Sequence, residues 1–444
     1  MKTRQQVICQ VFDYVDGARP DKKPALYKHQ IMAGSPFRFL RGAASLFYHD
    51  IKNAVITLPE SLADKRLLTC IMGDCHISNF GFFSEEGSHG DTIIFAPNDF
   101  DDACVGHATW DLLRFLVSLH LTQDYCQRVI RSEVETDEVA LDRIKSTVSD
   151  VELSQSLHAF LASYVTMCEK LCCGEVDRRY VLNQFKKGHV LRKLEKKAQK
   201  RAAGGKHFTT KSALAKLIDI EASGPQFDFT SPKLSKVENP LFSEIKSVFR
   251  PYVDDDILDV AERLGAGTGS VNMKRYYLLV GPKRFNQEAD LPLCHIVEVK
   301  QQRVAAPVTY FANYAPQNQQ NAAHLTVTCQ QRMQRRPDLV LDDVEWRGHH
   351  WLVRSRHHAK VGIKPELLGL SESSNCSGMV SYAHECGSAL ALAHCRGDRR
   401  SHRFEQAVME ILPEHVDVLL ESAKAYANQT IEDYIIVKEM LETG

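Results

Sequence analysis

Residues 67–119 constrain the fold of this chain more tightly than any other stretch. Residues 67–72 form an apolar run of strand length that stops at Gly73. A polar loop follows, Asp74-Cys75-His76-Ile77-Ser78-Asn79. Two short apolar runs, 80–83 and 92–96, flank Glu-Glu-Gly-Ser-His-Gly-Asp, which predicts a β-hairpin. A second acidic loop, Asn98-Asp99-Phe100-Asp101-Asp102, ends the unit. Trp110, Leu112, Leu113, Phe115, Leu116 and Leu119 then recur at helical spacing. A strand, a hairpin and a helix in this order bring Asp74, His76, Asn79, Asp99, Asp101 and Asp102 onto two neighbouring loops. Hard oxygen donors gathered in this way suit a divalent cation and a phosphate chain.

The rest of the composition excludes several classes. Of the 444 residues, 44% are hydrophobic and 25% charged, the profile of a globular protein. The net charge of −1 gives no field that gathers nucleic acid or an acidic membrane, so neither partner is expected. No run of apolar residues is long enough to span a bilayer. The opening Met-Lys-Thr-Arg-Gln-Gln leads into no long apolar core, so no cleavable signal is expected. The 13 cysteines, an odd number scattered along the chain, then read as reduced thiols in a cytoplasmic protein. Cys168, Cys172 and Cys173 lack a second ligand pair nearby and are expected to pack on a helix face.

Residues 126–225 are more polar and read as mainly helical, with amphipathic stretches at 138–174 and 178–202. The basic run 186–206 is expected to be a solvated helix face. Pro and Gly punctuation makes 223–240 the best linker candidate. The chain then changes character. A strand leads into Gly265-Ala266-Gly267-Thr268-Gly269-Ser270, two further apolar runs follow at 275–280 and 294–299, and the second ends at Lys300. A helix at 317–335, a strand pair around Arg347-Gly348 and a helical C-terminal region from Val380 complete the reading.

A glycine loop between strands lets backbone N–H groups approach phosphate oxygens, because no Cβ intervenes. A strand lysine some thirty residues later can pair with the same phosphates. No Gly-Lys-Ser/Thr closes the loop, so it is not a Walker loop, and a strand rather than a helix follows, so it is not a dinucleotide-binding turn. Gly265, Gly267, Thr268, Gly269, Ser270 and Lys300 are therefore the candidate nucleotide-binding residues. On the acidic loops, Asp74 is placed to orient or deprotonate a hydroxyl, and Asn79 and Asp99, with Asp101 beside them, to ligate a metal ion. His76, the second catalytic candidate, is placed to bind phosphate or line the same site.

Gly73-Asp74-Cys75-His76-Ile77-Ser78-Asn79 resembles the catalytic loop of aminoglycoside phosphotransferases and other kinase-like enzymes. Asn98-Asp99-Phe100-Asp101-Asp102 resembles their metal-binding loop, and the segment from Gly106 to Leu112 their following Gly-Asp-Pro-x-x-Asp-Leu. The resemblance makes Asp74 the catalytic base, Asn79 and Asp99 the Mg²⁺ ligands, and Asp111 a structural partner of the catalytic loop. Most of the chain is also similar to a bacterial family, the domain of unknown function 2252. The shared motifs include Ser35-Pro36-Phe37, both acidic loops, the glycine loop with Arg275-Tyr276, Val299-Lys300 and the segment from Tyr382 to Asp398. Two positions depart from the pattern. Asn272 stands where a further glycine is expected, and Gln301-Gln302 where Glu-Ala is more usual. The helix that should offer a glutamate to Lys300 offers Asn321, Ala322, Ala323 and His324.

The glycine loop and Lys300 lie after the acidic loops, the reverse of the order in ordinary kinases. The resemblance thus implies an α+β, two-lobed, protein-kinase-like fold that is circularly permuted and carries a helical insertion. Residues 1–125 would hold the catalytic and metal loops, 126–245 the insertion and linker, 246–360 the small lobe, and 361–444 the helices completing the large lobe. The implied activity is ATP- and Mg²⁺-dependent phosphoryl transfer to a hydroxyl of a small molecule or protein. The alternatives are AMP transfer on the same fold, a non-catalytic nucleotide-binding protein, and a metallohydrolase using Asp74, His76, Asp99 and Asp101. Arg396-Gly397-Asp398 mimics a catalytic triplet but lacks the downstream Asn.

Overall fold

A computed structural model describes residues 2–443 except 222–223, 266–272, 286–287 and 373–377. The fold is mixed α+β. Its largest sheet has six antiparallel strands in the order Asp342–Trp346, His349–Ser355, His295–Gln301, Arg275–Gly281, Asp256–Arg263 and Leu234–Lys236. Alternation along Arg275–Gly281 shows how both faces are buried. Tyr276, Leu278 and Val280 point into one apolar cluster with Trp346 and Trp351, under the helix Leu241–Phe249. Tyr277 and Leu279 point into another, which Phe208, Leu214 and Phe227 cover. The edge strand Leu234–Lys236 falls within the stretch read as a linker. Its backbone pairs with Asp256–Arg263, so those residues belong to the sheet.

The largest core gathers helices from both halves of the sequence. Ala108–Ile130 is buried over nearly its whole length, and Phe115 stacks on Phe160 of Asp150–Cys172 at 4.1 Å. Asp150–Cys172 runs along Met379–Asp398 at close quarters. A Cβ on Gly387 would lie 2.2 Å from the Phe160 carbonyl oxygen, so only glycine admits this approach. Residues 178–202 form a shorter helix than their pattern suggests, Val190–Arg201. Arg396-Gly397-Asp398 is the last turn of Met379–Asp398, where Asp398 pairs with Arg400. Of the clustered thiols, Cys168 is buried 3.8 Å from the Cys395 sulfur, whereas Cys173 is exposed.

The hairpin Phe80–Ser84/Ile93–Pro97 and the strand Leu68–Ile71 lie where expected, the latter paired with Cys104–His107. The helix Ala322–Met333 joins the two regions. Leu325, Cys329 and Met333 enter the large core, while Val327 packs with Leu341 and Leu352 of the sheet. Among the described residues, no helix is long and apolar enough to cross a membrane.

Candidate functional site

The first acidic loop is held from below. Asp111, fully buried on Ala108–Ile130, accepts hydrogen bonds from the backbone N–H of Met72 (2.7 Å) and of Gly73 (3.1 Å). His394 Nε2 lies 3.1 Å from the same carboxylate, and Tyr164 Oη lies 2.7 Å from His394 Nδ1. Tyr48 Oη donates to the Gly73 carbonyl and Tyr382 Oη to that of Ile77. The loop's carbonyls and amides are thus taken up by buried side chains, which fixes its shape.

Asp74 and its neighbours project from this frame. The buried Arg114 donates to Asp74 Oδ1 twice, from Nε at 2.9 Å and Nη2 at 2.6 Å, and its Nη2 also donates to the Leu40 carbonyl. His76 Nδ1 accepts from the Ser78 N–H at 3.2 Å, which leaves Nε2 as the protonated nitrogen, 3.6 Å from Asp74 Oδ2. Burial opposes the charge on Asp74, but Arg114 and His76 outweigh it and hold the carboxyl well below the usual range. Burial pushes His76 down, against the pull of Asp74, so it is neutral near pH 7. Asn79 Nδ2 donates to the Asp74 carbonyl at 2.9 Å, which commits its amide nitrogen and leaves Oδ1 as the acceptor.

The second loop meets the first at the Asn98 N–H, which donates to the Asn79 carbonyl at 3.0 Å, and at Gly73. Gly73 has φ +74°, and a Cβ there would lie 2.0 Å from the Asp102 carbonyl oxygen. Only glycine allows the two loops to touch there. Asp102 is structural: it accepts from the Ala306 N–H at 2.7 Å and from Arg303 at 2.9 Å.

Asp101 is the contact with the sheet. Lys300 Nζ donates to one carboxylate oxygen and Arg354 Nη1 to the other, the latter at 3.0 Å. Gln302 donates to the Asp101 carbonyl and to Thr326 of Ala322–Met333. The partner sought for Lys300 on that helix is therefore replaced by an acid from the second loop. Glu298 lies two residues before Lys300, on the same face of the strand, and pairs with Arg275 (2.9 Å) and Arg354 (2.8 Å). Burial raises Glu298, but Arg354 and Arg275 outweigh it and hold it well below the usual range. Asp101 is held low in the same way by Lys300 and Arg354.

Asp99 differs from every other acid of the set. No ion pair reaches it among the described residues, and burial, with Asp101 next, raises its pKa. Both acidic loops and the sheet residues Arg275, Glu298 and Arg354 line one cleft of about 540 Å³. Arg201, Lys211 and Lys216, from the segment read as an insertion, line its mouth. Of the expected nucleotide-binding residues, Lys300 is buried behind Asp101 and does not itself line the cleft, and Gly265, two residues past the strand Asp256–Arg263, has φ +59°. Gly267, Thr268, Gly269, Ser270 and Asn272 lie outside the described residues.

Arg114, Glu298 and Arg354 escaped the sequence reading. Glu298 alone left a local signal, its i, i+2 spacing to Lys300; Arg114 and Arg354 reach their partners across long stretches of chain.

A family model described as "Uncharacterized protein conserved in bacteria (DUF2252)" matches residues 21–439. Neither the curated proteins nor the solved structures include a match to the chain.

Proposed function

The chain belongs to the DUF2252 family of proteins conserved in bacteria, and from that premise we propose that its cleft is the site of a kinase-like, Mg²⁺- and nucleoside-triphosphate-dependent phosphotransferase. One observation carries the reading. Lys300 and Arg354 on the sheet and Asp101 on the second loop meet directly, which joins the sheet to the second acidic loop, and Arg275 and Arg354 line one cleft with Asp74 and Asp99. Phosphoryl transfer needs a cation-bearing surface opposite oxygen ligands and a hydroxyl-orienting acid. The chain order of strand, glycine-rich sequence, strand, lysine strand and helix supports the same reading, since protein kinases carry these parts in that order.

The residues fit a divalent cation. Asp99 lacks an ion-pair partner among the described residues, and Asn79 keeps an amide oxygen free for a ligand. These two would hold the ion, and Arg275 with Arg354, which line the cleft, would face the phosphates, with Lys300 behind them on Asp101. When bound, the nucleotide supplies the phosphoryl group and Mg²⁺ neutralises its charge.

Asp74 orients more than it deprotonates. A carboxylate held well below its usual pKa by Arg114 and His76 is a weak proton acceptor. It remains a strong hydrogen-bond acceptor that fixes the direction of an acceptor hydroxyl. A loose phosphoryl-transfer transition state demands little more. The acceptor is a small molecule or protein bearing a hydroxyl. Exposed lysines at the mouth favour one that also carries negative charge.

The test is thermal unfolding with ATP, with and without Mg²⁺, followed by mass analysis of product. The expected result is a rise in Tm with MgATP that neither component gives alone, and a phosphoryl adduct. An unchanged Tm at saturating MgATP overturns the reading, and an adenylyl adduct replaces it with AMP transfer on the same site.

A further inference from the structure

The turn of the hairpin, residues 85–91, leans on the six-stranded sheet away from the cleft. The Glu86 N–H donates to the Arg336 carbonyl, and Glu85 pairs with Arg335. At its tip His89 Nε2 lies 2.7 Å from Asp254 Oδ2, just ahead of the strand Asp256–Arg263. His295, the first residue of the Lys300 strand, completes the group. Its ring centroid is 4.9 Å from that of His89, and its Nε2 is 3.5 Å from Asp254 Oδ1.

One ligand atom from each of the three residues lies within 4.8 Å of the others. The His295 side chain is 7% exposed, and its Nε2 has no hydrogen-bond partner among the described residues. A buried ring nitrogen in that state carries a desolvation cost that a metal bond would remove. Two imidazoles and a carboxylate are the donor set of zinc-type cations, whereas Mg²⁺ and Ca²⁺ favour oxygen alone. Bonds of about 2.0–2.2 Å to a tetrahedral ion set donors roughly 3.4 Å apart, inside the 4.8 Å that encloses one ligand atom from each of the three residues.

We propose that His89, Asp254 and His295 form a second metal site, for a divalent cation of the zinc class, which staples the hairpin turn to the sheet. Asp254 is more than half exposed, so water completes the coordination. The base of the hairpin carries Asn79 and Asp99, and His295 opens the strand that ends near Lys300. The ion therefore fastens the oxygen ligands of the cleft and the lysine behind Asp101 to one another from outside the cleft. The site stands whether or not the cleft transfers phosphate.

Chelator-treated full-length protein, held in excess Mg²⁺ to satisfy the acidic loops, is titrated with Zn²⁺ by calorimetry and with Co²⁺ by visible absorption. The expected result is one Zn²⁺ per chain, weakened at least tenfold in both His89→Ala and Asp254→Asn. These partly exposed positions are chosen because buried His295 risks the fold, and circular dichroism checks that both variants remain folded. The Co²⁺ complex should show tetrahedral d–d bands without a thiolate charge-transfer band. No binding, undiminished binding in either variant, or a thiolate band that assigns the ion to cysteine overturns the proposal.

Discussion

Asp74 and Asp99 stand at the two ends of one hairpin and line the same cleft, yet the protein treats their charges in opposite ways. Asp74 receives two hydrogen bonds from a buried arginine and faces a neutral histidine. Asp99 receives no ion pair among the described residues, and the nearby Asp101 is already occupied by Lys300 and Arg354. Charge balance at Asp74 is internal and permanent, and suits a residue that must keep one orientation. At Asp99 the balance is left to whatever enters the cleft, as befits a ligand-binding acid.

The sharpest way to break the comparison is to neutralise each acid in turn. Asp74→Asn should lower turnover by about 10²-fold, the cost of a misoriented acceptor hydroxyl. It also leaves Arg114 buried without its counter-charge, at a cost of about 3 kcal/mol, read by urea unfolding. Asp99→Asn should cost less apo stability, because no ion pair among the described residues is lost with its charge. The same variant should lose the MgATP-dependent stabilisation, which for wild type is about 2.7 kcal/mol at one hundred times Kd. Equal losses of stability in the two variants would end the distinction.

Acid sharpens it from another side. Burial pushes His107 down to about 4 and His358 down to about 3. Below about pH 6.5 the unfolded chain takes up these protons while the folded chain refuses them. Their contribution is therefore fully present above pH 6.5 and lost as pH falls toward 4. Denaturant unfolding at pH 7 and pH 5 should differ by about 2 kcal/mol for each. His107→Gln should flatten part of that slope without changing the response to MgATP. The smallest effect is expected at the mouth. Lys211→Ala should leave stability within about 0.5 kcal/mol, while raising KM for an anionic acceptor and leaving that for MgATP alone.

How much of this the chain disclosed in advance depended on distance along it. The strand, hairpin and helix around Asp74 and Asp99 were legible because short-range periodicity and turn residues encode them. The partners of those acids were not, because Arg114 and Arg354 come from other elements and no local pattern announces the meeting. The search for a helix glutamate beside Lys300 failed for a related reason: that position is filled by Asp101, already noted as an acid of the second loop. The stretch 223–240 looked like a linker because proline and glycine punctuate it. Leu234–Lys236 is too short to carry its own strand signal and is defined by the backbone it pairs with.

The contact between Gly73 and the Asp102 carbonyl leaves no side chain between the two acidic loops. They behave as one part with two tools on it, and a shift of either backbone moves the other. If the cleft works as proposed, a cation at Asp99 and an acceptor oriented by Asp74 would therefore bind to a shared mechanical element. By thermodynamic linkage, whatever affinity the acceptor gains from the cation, the cation gains from the acceptor. Gly73→Ala would force the loops apart and should erase that mutual gain, turning cooperative loading of the cleft into two independent bindings.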